Sequence, residues 1–299
     1  MPLDLIPASD DAPIRARADP ALARIRRGWY AERAALEALP RHARYLLEVQ
    51  AAAAARPGAV FARESALVLA GLPHGIPQDV FTIGDPSMPG SLAGIRNSHV
   101  RVAGQDVLVE DGIARSTPAY ALGHVARLGR QTDAVSALDW ALRTGVVTRA
   151  EVTDALTRQG PRGQRRAAWV VGFADPLAES VGESWSRVVI HRLGAPVPQL
   201  QVRVRTRLGD RFPDFLWERP GRRPLAGEFD GAQKYGVLAG ANGVQPVDAV
   251  IAEKRRDDAM REVADTLHWM WDAVQRPTIL QSMLAQHHVP VRTSLLPGW

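Results

Sequence analysis

The chain has 299 residues, 46% of them hydrophobic, enough for one large or two ordinary domains with real cores and too apolar for a disordered chain. It contains no cysteine, which removes disulfides, thiolate zinc sites and cysteine nucleophiles, and no apolar run near the roughly 20 residues of a membrane span. The net charge of +5 favours a polyanionic partner, most simply nucleic acid, and only two of the 37 basic residues, Lys234 and Lys254, are lysine.

The short acidic start, Met1-Pro2-Leu3-Asp4, does not read as a secretory signal, so the expectation is a cytoplasmic protein. Residues 1–20 read as a loose lead-in, followed by a basic strand over residues 22–30. Residues 31–55 carry helical periodicity interrupted at Pro40. A turn at Pro57-Gly58, a short strand at Val60-Phe61 and a helix over residues 65–72 come next. Residues 79–82 and 99–109 are strand-like, with a loop over 84–91 between them, and the run from Val107 to Ile113 predicts a strand, a turn and a second strand.

Ser116-Thr117-Pro118 predicts a helix start, with a hydroxyl at the cap and proline in the first turn. Residues 133–143 predict another helix, and Thr148-Arg149-Ala150-Glu151 resembles a capping box that opens a third. Residues 160–166 suggest a flexible basic linker, which places a domain boundary between 160 and 176. Beyond it the pattern predicts a helix over 175–193, strands over 199–206, 211–218 and 225–230, a polar helix over 247–264 and a last strand over 266–271. Helix, three strands, helix, strand is a compact α/β layout. The fold class is therefore α/β (α+β), with domains at 1–165 and 166–299.

The chemistry concentrates in Phe212-Pro213-Asp214-Phe215-Leu216-Trp217 and in Leu225-Ala226-Gly227-Glu228-Phe229-Asp230. Glu228 and Asp230, two apart on a strand, point to one face, and Asp214 joins them if the two strands pair. Three carboxylates on one patch repel one another, and a hard divalent cation such as Mg²⁺ or Mn²⁺ relieves that repulsion. Acids in strands with apolar neighbours are unusual, and mutually perturbing acids are commoner at functional sites. His191 and His268 read as structural or surface residues, and Trp185, Trp217, Trp269 and Trp271 as core. The glycine-rich stretch over 236–243 lacks the Gly-Lys-Ser/Thr of a phosphate loop.

An acid on one strand and Glu-x-acid on the next, within a helix-strand-strand-strand-helix-strand unit, resembles the PD-(D/E)xK nuclease fold. The longer run is more specific. Glu183-Ser184-Trp185-Ser186-Arg187, Gln201, the stretch from Glu228 to Gly236 and that from Ala252 to Arg261 resemble actinobacterial proteins whose C-terminal domain is similar to very-short-patch-repair endonucleases. The resemblance implies an Mg²⁺-dependent DNA endonuclease in which Asp214, Glu228 and Glu183 hold the cation. Asp230 stands where that pattern has lysine, and Lys234 or Lys254 would then orient or deprotonate the attacking water. Arg187 and Gln201 would steady the site, and Arg255 and Arg256 would touch nucleic acid. The N-terminal half resembles the AbiEi-type antitoxin family of transcriptional regulators, on Arg26-Arg27-Gly28-Trp29-Tyr30, Glu64-Ser65-Ala66-Leu67 and Asp139-Trp140-Ala141-Leu142-Arg143. That likeness implies a degenerate winged-helix remnant at the start, with Arg26 and Arg27 on DNA, and a cognate toxin or another protein as partner. The non-enzymatic alternative is a DNA-binding regulator or antitoxin built on a degenerate nuclease fold.

Overall fold

The computed structural model describes residues 5–7, 19–231 and 247–297, with no side-chain description before Lys254 in the last stretch. The chain divides into two compact units, 1–173 and 174–299. The division lies inside the expected interval but after the helix at 164–173, so that helix belongs to the first unit. Residues 160–166 are no free linker. The Arg127 guanidinium donates to the Arg162 carbonyl (2.9 Å), and the Gln164 amide donates to Leu156 O (2.9 Å), which anchors the segment.

The first unit opens with a small sheet of β1 (Ile6–Pro7), β2 (Leu22–Arg26) and β3 (Trp29–Glu32), in the order β1-β3-β2. Gly28, at φ +81, makes the tight turn between β2 and β3, where a Cβ would be strained. Two helices follow, α1 (Arg33–Ala38) and α2 (Arg41–Ala55), broken at Pro40 as predicted. A six-stranded mixed sheet combines β4 (Val60–Phe61), β5 (Val80–Ile83), β6 (Ser91–Leu92), β7 (Ile95–Ser98), β8 (Val107–Glu110) and β9 (Ile113–Ser116), in the order β6-β7-β5-β4-β9-β8. The helix α3 (Arg63–Leu69) follows β4. The expected strand over 99–109 is corrected. Its first half is a loop and a 3₁₀ turn over Gly104–Asp106, and the pairing strand is β7, which runs parallel to β5.

Helices α4 (Pro118–Leu128), α5 (Gln131–Arg143), α6 (Arg149–Thr157) and α7 (Gln164–Phe173) complete this unit. Every residue of α4 from Tyr120 to Arg127 is buried, so α4 is the axis around which the others pack. Its start is the predicted one, with Thr117 as cap and Pro118 in the first turn. The Thr148–Glu151 capping box is present in both directions: Glu151 N–H donates to Thr148 Oγ1 (3.2 Å) and Thr148 N–H to Glu151 Oε2 (2.7 Å).

The second unit is built on α8 (Val181–Arg192), the hairpin β10 (Val204–Thr206) and β11 (Gly209–Arg211), the strands β12 (Phe215–Trp217) and β13 (Leu225–Phe229), the helix α9 (Val247–Arg261), the strand β14 (Asp265–Trp269), and two closing helices, α10 (Trp271–Gln275) and α11 (Pro277–Gln286). The sheet order is β12-β13-β14, with β13 antiparallel to β12 and parallel to β14. Two layers cover it. Leu225, Phe229, Phe215, Trp217, Leu267 and Trp269 share one core with Val189 and Ile190 of α8, with Leu193 at its C-terminal cap, and with Leu280 and Leu284 of α11. Leu216 and Ala226 point the other way, onto Met260 and Ala264. Trp217 and Trp269 are core residues, as read from the sequence.

Three sequence expectations shift here. The strand over 199–206 is interrupted, because Gln201 has a left-handed φ of +51° that an extended chain does not allow; only a single bridge (Gln199 to Leu216) and β10 remain. The helix expected from Asp175 begins instead at Val181, capped by the Ser180 hydroxyl. The last strand ends at Trp269, and Trp271 starts α10.

Candidate functional site

The carboxylates of the second unit gather at the end of β13. Asp214 is half-buried, one residue before β12 and next to the register pair Phe215–Gly227, so it continues that register opposite Glu228. Its Oδ2 accepts the Phe229 N–H (2.9 Å), and its Oδ1 accepts the Gln201 amide (3.4 Å). The contact with Gln201 gives the unusual backbone at that residue a purpose: it turns the amide onto the acid.

Glu183 comes from the first turn of α8. Its N–H donates to the capping Ser180 hydroxyl (3.2 Å), and its Oε2 accepts the Glu179 N–H (2.8 Å). It is only 6% exposed. Burial, and next the negative charge of Asp214, push its carboxyl up to about 7. Helix N-termini normally favour the ionised carboxylate, so desolvation and repulsion outweigh the helix dipole here.

Packing explains how α8 is brought to this position. Gly182 lies against the Phe229 ring, and a Cβ there would stand 1.9 Å from Phe229 Cε1. The Trp269 indole N–H donates to Ser186 Oγ (2.8 Å), which donates to Gly182 O (2.7 Å). Phe229 thus holds Asp214 through its backbone and the start of α8 through its ring. Gly182→Ala should destabilise this unit by about 1–3 kcal/mol, read as a lower urea midpoint, with part of the loss recovered by Phe229→Leu in the same chain. Unchanged stability of Gly182→Ala would show that this close approach does not exist.

Asp230 follows the end of β13. Its N–H donates to Trp269 O (2.8 Å), and its Oδ2 lies 3.1 Å from His268 Nδ1. His268 is the direct β14 partner of Glu228. The bond to Asp230, opposed by burial and helped by the charges of Glu228 and Asp257, raises the imidazole pKa above its ordinary value. Glu228, Asp230 and His268 therefore form a second cluster at the same strand end as Asp214 and Glu183.

His268, which reads from the sequence as a structural or surface residue, is exposed and pairs with Asp230. A strand pattern identifies which face a side chain takes but not which strand pairs with which. The usable signal was the shared parity of Glu228 and His268 on their two strands.

Arg187 is buried one turn beyond Glu183 on α8. Lys254, Arg255 and Arg256 are exposed on α9. Lys254 is three residues before Asp257, whose charge acts on His268, so it lies on the same side of the helix. Lys234 lies outside the described residues. Among the described residues, no three His, Asp or Glu side chains are arranged to hold a metal ion. In the first unit, Arg26 donates to the carbonyls of Glu48 (3.2 Å), Ala93 (2.9 Å) and Gly94 (3.4 Å), which ties the β2–β3 turn down, while Arg27 is exposed in that turn. Among the described residues no helix is long and apolar enough to cross a membrane.

Two uncharacterized proteins of Mycobacterium tuberculosis, MT2308 and Rv2248, are each 37% identical to this chain over 134 residues, 44% of this chain and 48% of the relative. The chain therefore spans about half the length of the curated relatives it matches. No family model and no solved structure matches.

Proposed function

We propose that the second unit is a PD-(D/E)xK-type domain that hydrolyses DNA phosphodiesters with the help of Mg²⁺ or Mn²⁺, joined to an AbiEi-like regulatory region. The observation that carries this reading is the meeting of Glu183 and Asp214, from two different elements, at the strand end that also bears Glu228 and Asp230. Folding gains nothing from a buried acid raised by a neighbouring acid, so the arrangement is costly unless a cation or proton is shared there. The donor chemistry fits: Asp214, Glu228 and Glu183 are hard oxygen ligands of the kind Mg²⁺ takes.

A cation held there would stabilise charge on the scissile phosphate and acidify bound water. The chain's own residues do the rest. Gln201 orients the Asp214 carboxylate. Asp230 keeps the His268 imidazole protonated to a higher pH than an isolated histidine would be, beside the place where a phosphate would lie. Lys254 or Lys234 would supply the ammonium that the family pattern has at the Asp230 position.

A non-catalytic reading has one specific support. Asp214 already accepts two internal hydrogen bonds, and Asp230 is engaged with His268, so both acids have partners without a cation. On that reading the unit is a DNA-binding scaffold within a regulator or an antitoxin with a cognate toxin. The test is incubation of the full chain with supercoiled DNA and Mg²⁺ or Mn²⁺, against the same mixture with chelator. Cation-dependent nicking supports the nuclease; DNA retained but never cut with either cation supports the scaffold.

A further inference from the structure

We propose that the β10–β11 ribbon is the element with which this protein grips double-stranded B-form DNA, lying in the major groove with Arg203, Arg205 and Arg207 toward the duplex. The inference builds on the reading of this unit as DNA-directed, but it does not require catalysis.

The ribbon stands apart from the central sheet as a two-stranded sheet of its own. Alternation divides its residues. Val202 and Val204 turn inward onto the core of Leu216, Ala226, Met260 and Ala264. Arg203 and Arg205 are exposed on the other side, and Arg207 is exposed in the turn. Arg205 lies within β10, Arg203 just before it and Arg207 in the turn after it, so the guanidinium ladder is a short basic row along the ribbon and its turn. Asp210 is the cross-strand neighbour of Arg205, and Arg203 reaches its carboxylate at 3.4 Å. Arg207 pairs with Glu262, in the segment after α9, at 2.7 Å. Exposed pairs of this kind contribute little, so a phosphate can replace the carboxylate without a large loss.

Two apolar side chains flank the ladder. Leu208 at the turn is 51% exposed, and Phe212, immediately after β11, is 55% exposed. Exposed apolar side chains beside a basic row suit a surface that meets sugar and base edges as well as phosphate. A two-stranded ribbon fits the major groove of B-DNA, about 12 Å wide, whereas the narrow major groove of an A-form RNA helix excludes it. The ribbon also has the right address. Its inward side covers the face of the sheet that carries Ala226, the face to which Glu228 belongs. Gln201, which bonds Asp214, precedes Arg203 by two residues. The ribbon therefore continues directly, in sequence, from a residue of the acidic strand end.

The experiment measures binding of the full chain to a labelled DNA duplex in chelator, across a series of salt concentrations, so that cleavage plays no part. The variants are Arg203→Gln with Arg205→Gln, leaving the Arg207–Glu262 pair intact, and Arg205→Lys as a charge-preserving control. The slope of log affinity against log salt should become shallower by about 0.9 for each arginine removed, and Arg205→Lys should keep the wild-type slope. Replacing the purines of the duplex by 7-deaza analogues should weaken binding, and an RNA duplex of the same sequence should compete poorly. An unchanged slope in the double variant, equal competition by RNA, or no DNA binding by the wild-type chain would overturn the proposal. In a parallel assay with Mg²⁺ in place of chelator, cleavage that survives the double variant at all salt concentrations would overturn the ribbon while leaving the nuclease reading intact. Ribbon-dependent binding without cleavage would do the reverse.

Discussion

Asp214→Asn should abolish cation-dependent DNA cleavage, by on the order of 100-fold or more, about 3 kcal/mol of transition-state stabilisation, while leaving the fold in place. The separation of these effects comes from the geometry. Asparagine keeps an oxygen that can accept the Phe229 N–H, which Asp214 holds at 2.9 Å. The link between β12 and the end of β13 therefore survives. What asparagine loses is the negative charge that raises Glu183 and that would attract a cation. Cleavage rate under saturating Mg²⁺ and the urea midpoint of the same preparation check the two halves of the statement. A variant that cuts DNA as fast as the wild type would place the chemistry elsewhere.

Glu183→Gln should make the second unit more stable than the wild type at pH 8 by about 2–3 kcal/mol in the absence of divalent cations, and should bring almost no gain at pH 4. The sign follows from the direction of the shift. The Glu183 carboxyl is at about 7 in the folded chain, against an ordinary value of 4.5. Below about 4.5 it is protonated in both states and the glutamate carries no penalty. As pH rises, the unfolded chain ionises while the folded chain retains the proton. Stability is then lost progressively until pH passes the folded value, and the full penalty is present above it. Glutamine has no such transition, yet its side-chain oxygen can still accept the Glu179 N–H. Urea unfolding of both chains at pH 4 and pH 8 checks this, and Mg²⁺ should recover part of the difference for the wild type at the higher pH. Parallel stability profiles for the two chains would mean that Glu183 carries no such burden.

The features legible in the sequence are those set by neighbouring residues. Pro40 interrupts a helix because it has no N–H to give, Thr117 with Pro118 opens one, and Thr148 with Glu151 caps another; each needs only a few residues of chain. The succession of α8, β12, β13, α9 and β14 was legible for a related reason, since apolar alternation and period survive without knowledge of partners. The acids Asp214, Glu228 and Asp230 were legible because carboxylates are rare among residues such as Phe215 and Phe229. Long-range facts were not. The left-handed turn at Gln201 splits an apparently continuous strand, and it is favoured by a contact with Asp214, thirteen positions along the chain. The role of His268 depends on β13 pairing in parallel with β14, across the whole of α9. The likeness to the antitoxin family implies Arg26 on DNA, and the sequence does not reveal that its side chain donates to three carbonyls, two of them far along the chain. The segment over 160–166 has the composition of a linker but packs through Arg162 and Gln164, which its composition does not reveal.

The most direct test of the central claim is isothermal titration of the full chain with Mg²⁺ and with Mn²⁺ at pH 8, alongside Asp214→Asn. The account predicts saturable binding of the cation to the wild-type chain and its loss in an Asp214→Asn chain of unchanged stability. Absence of binding to the wild-type chain, or equal binding to both, would contradict it.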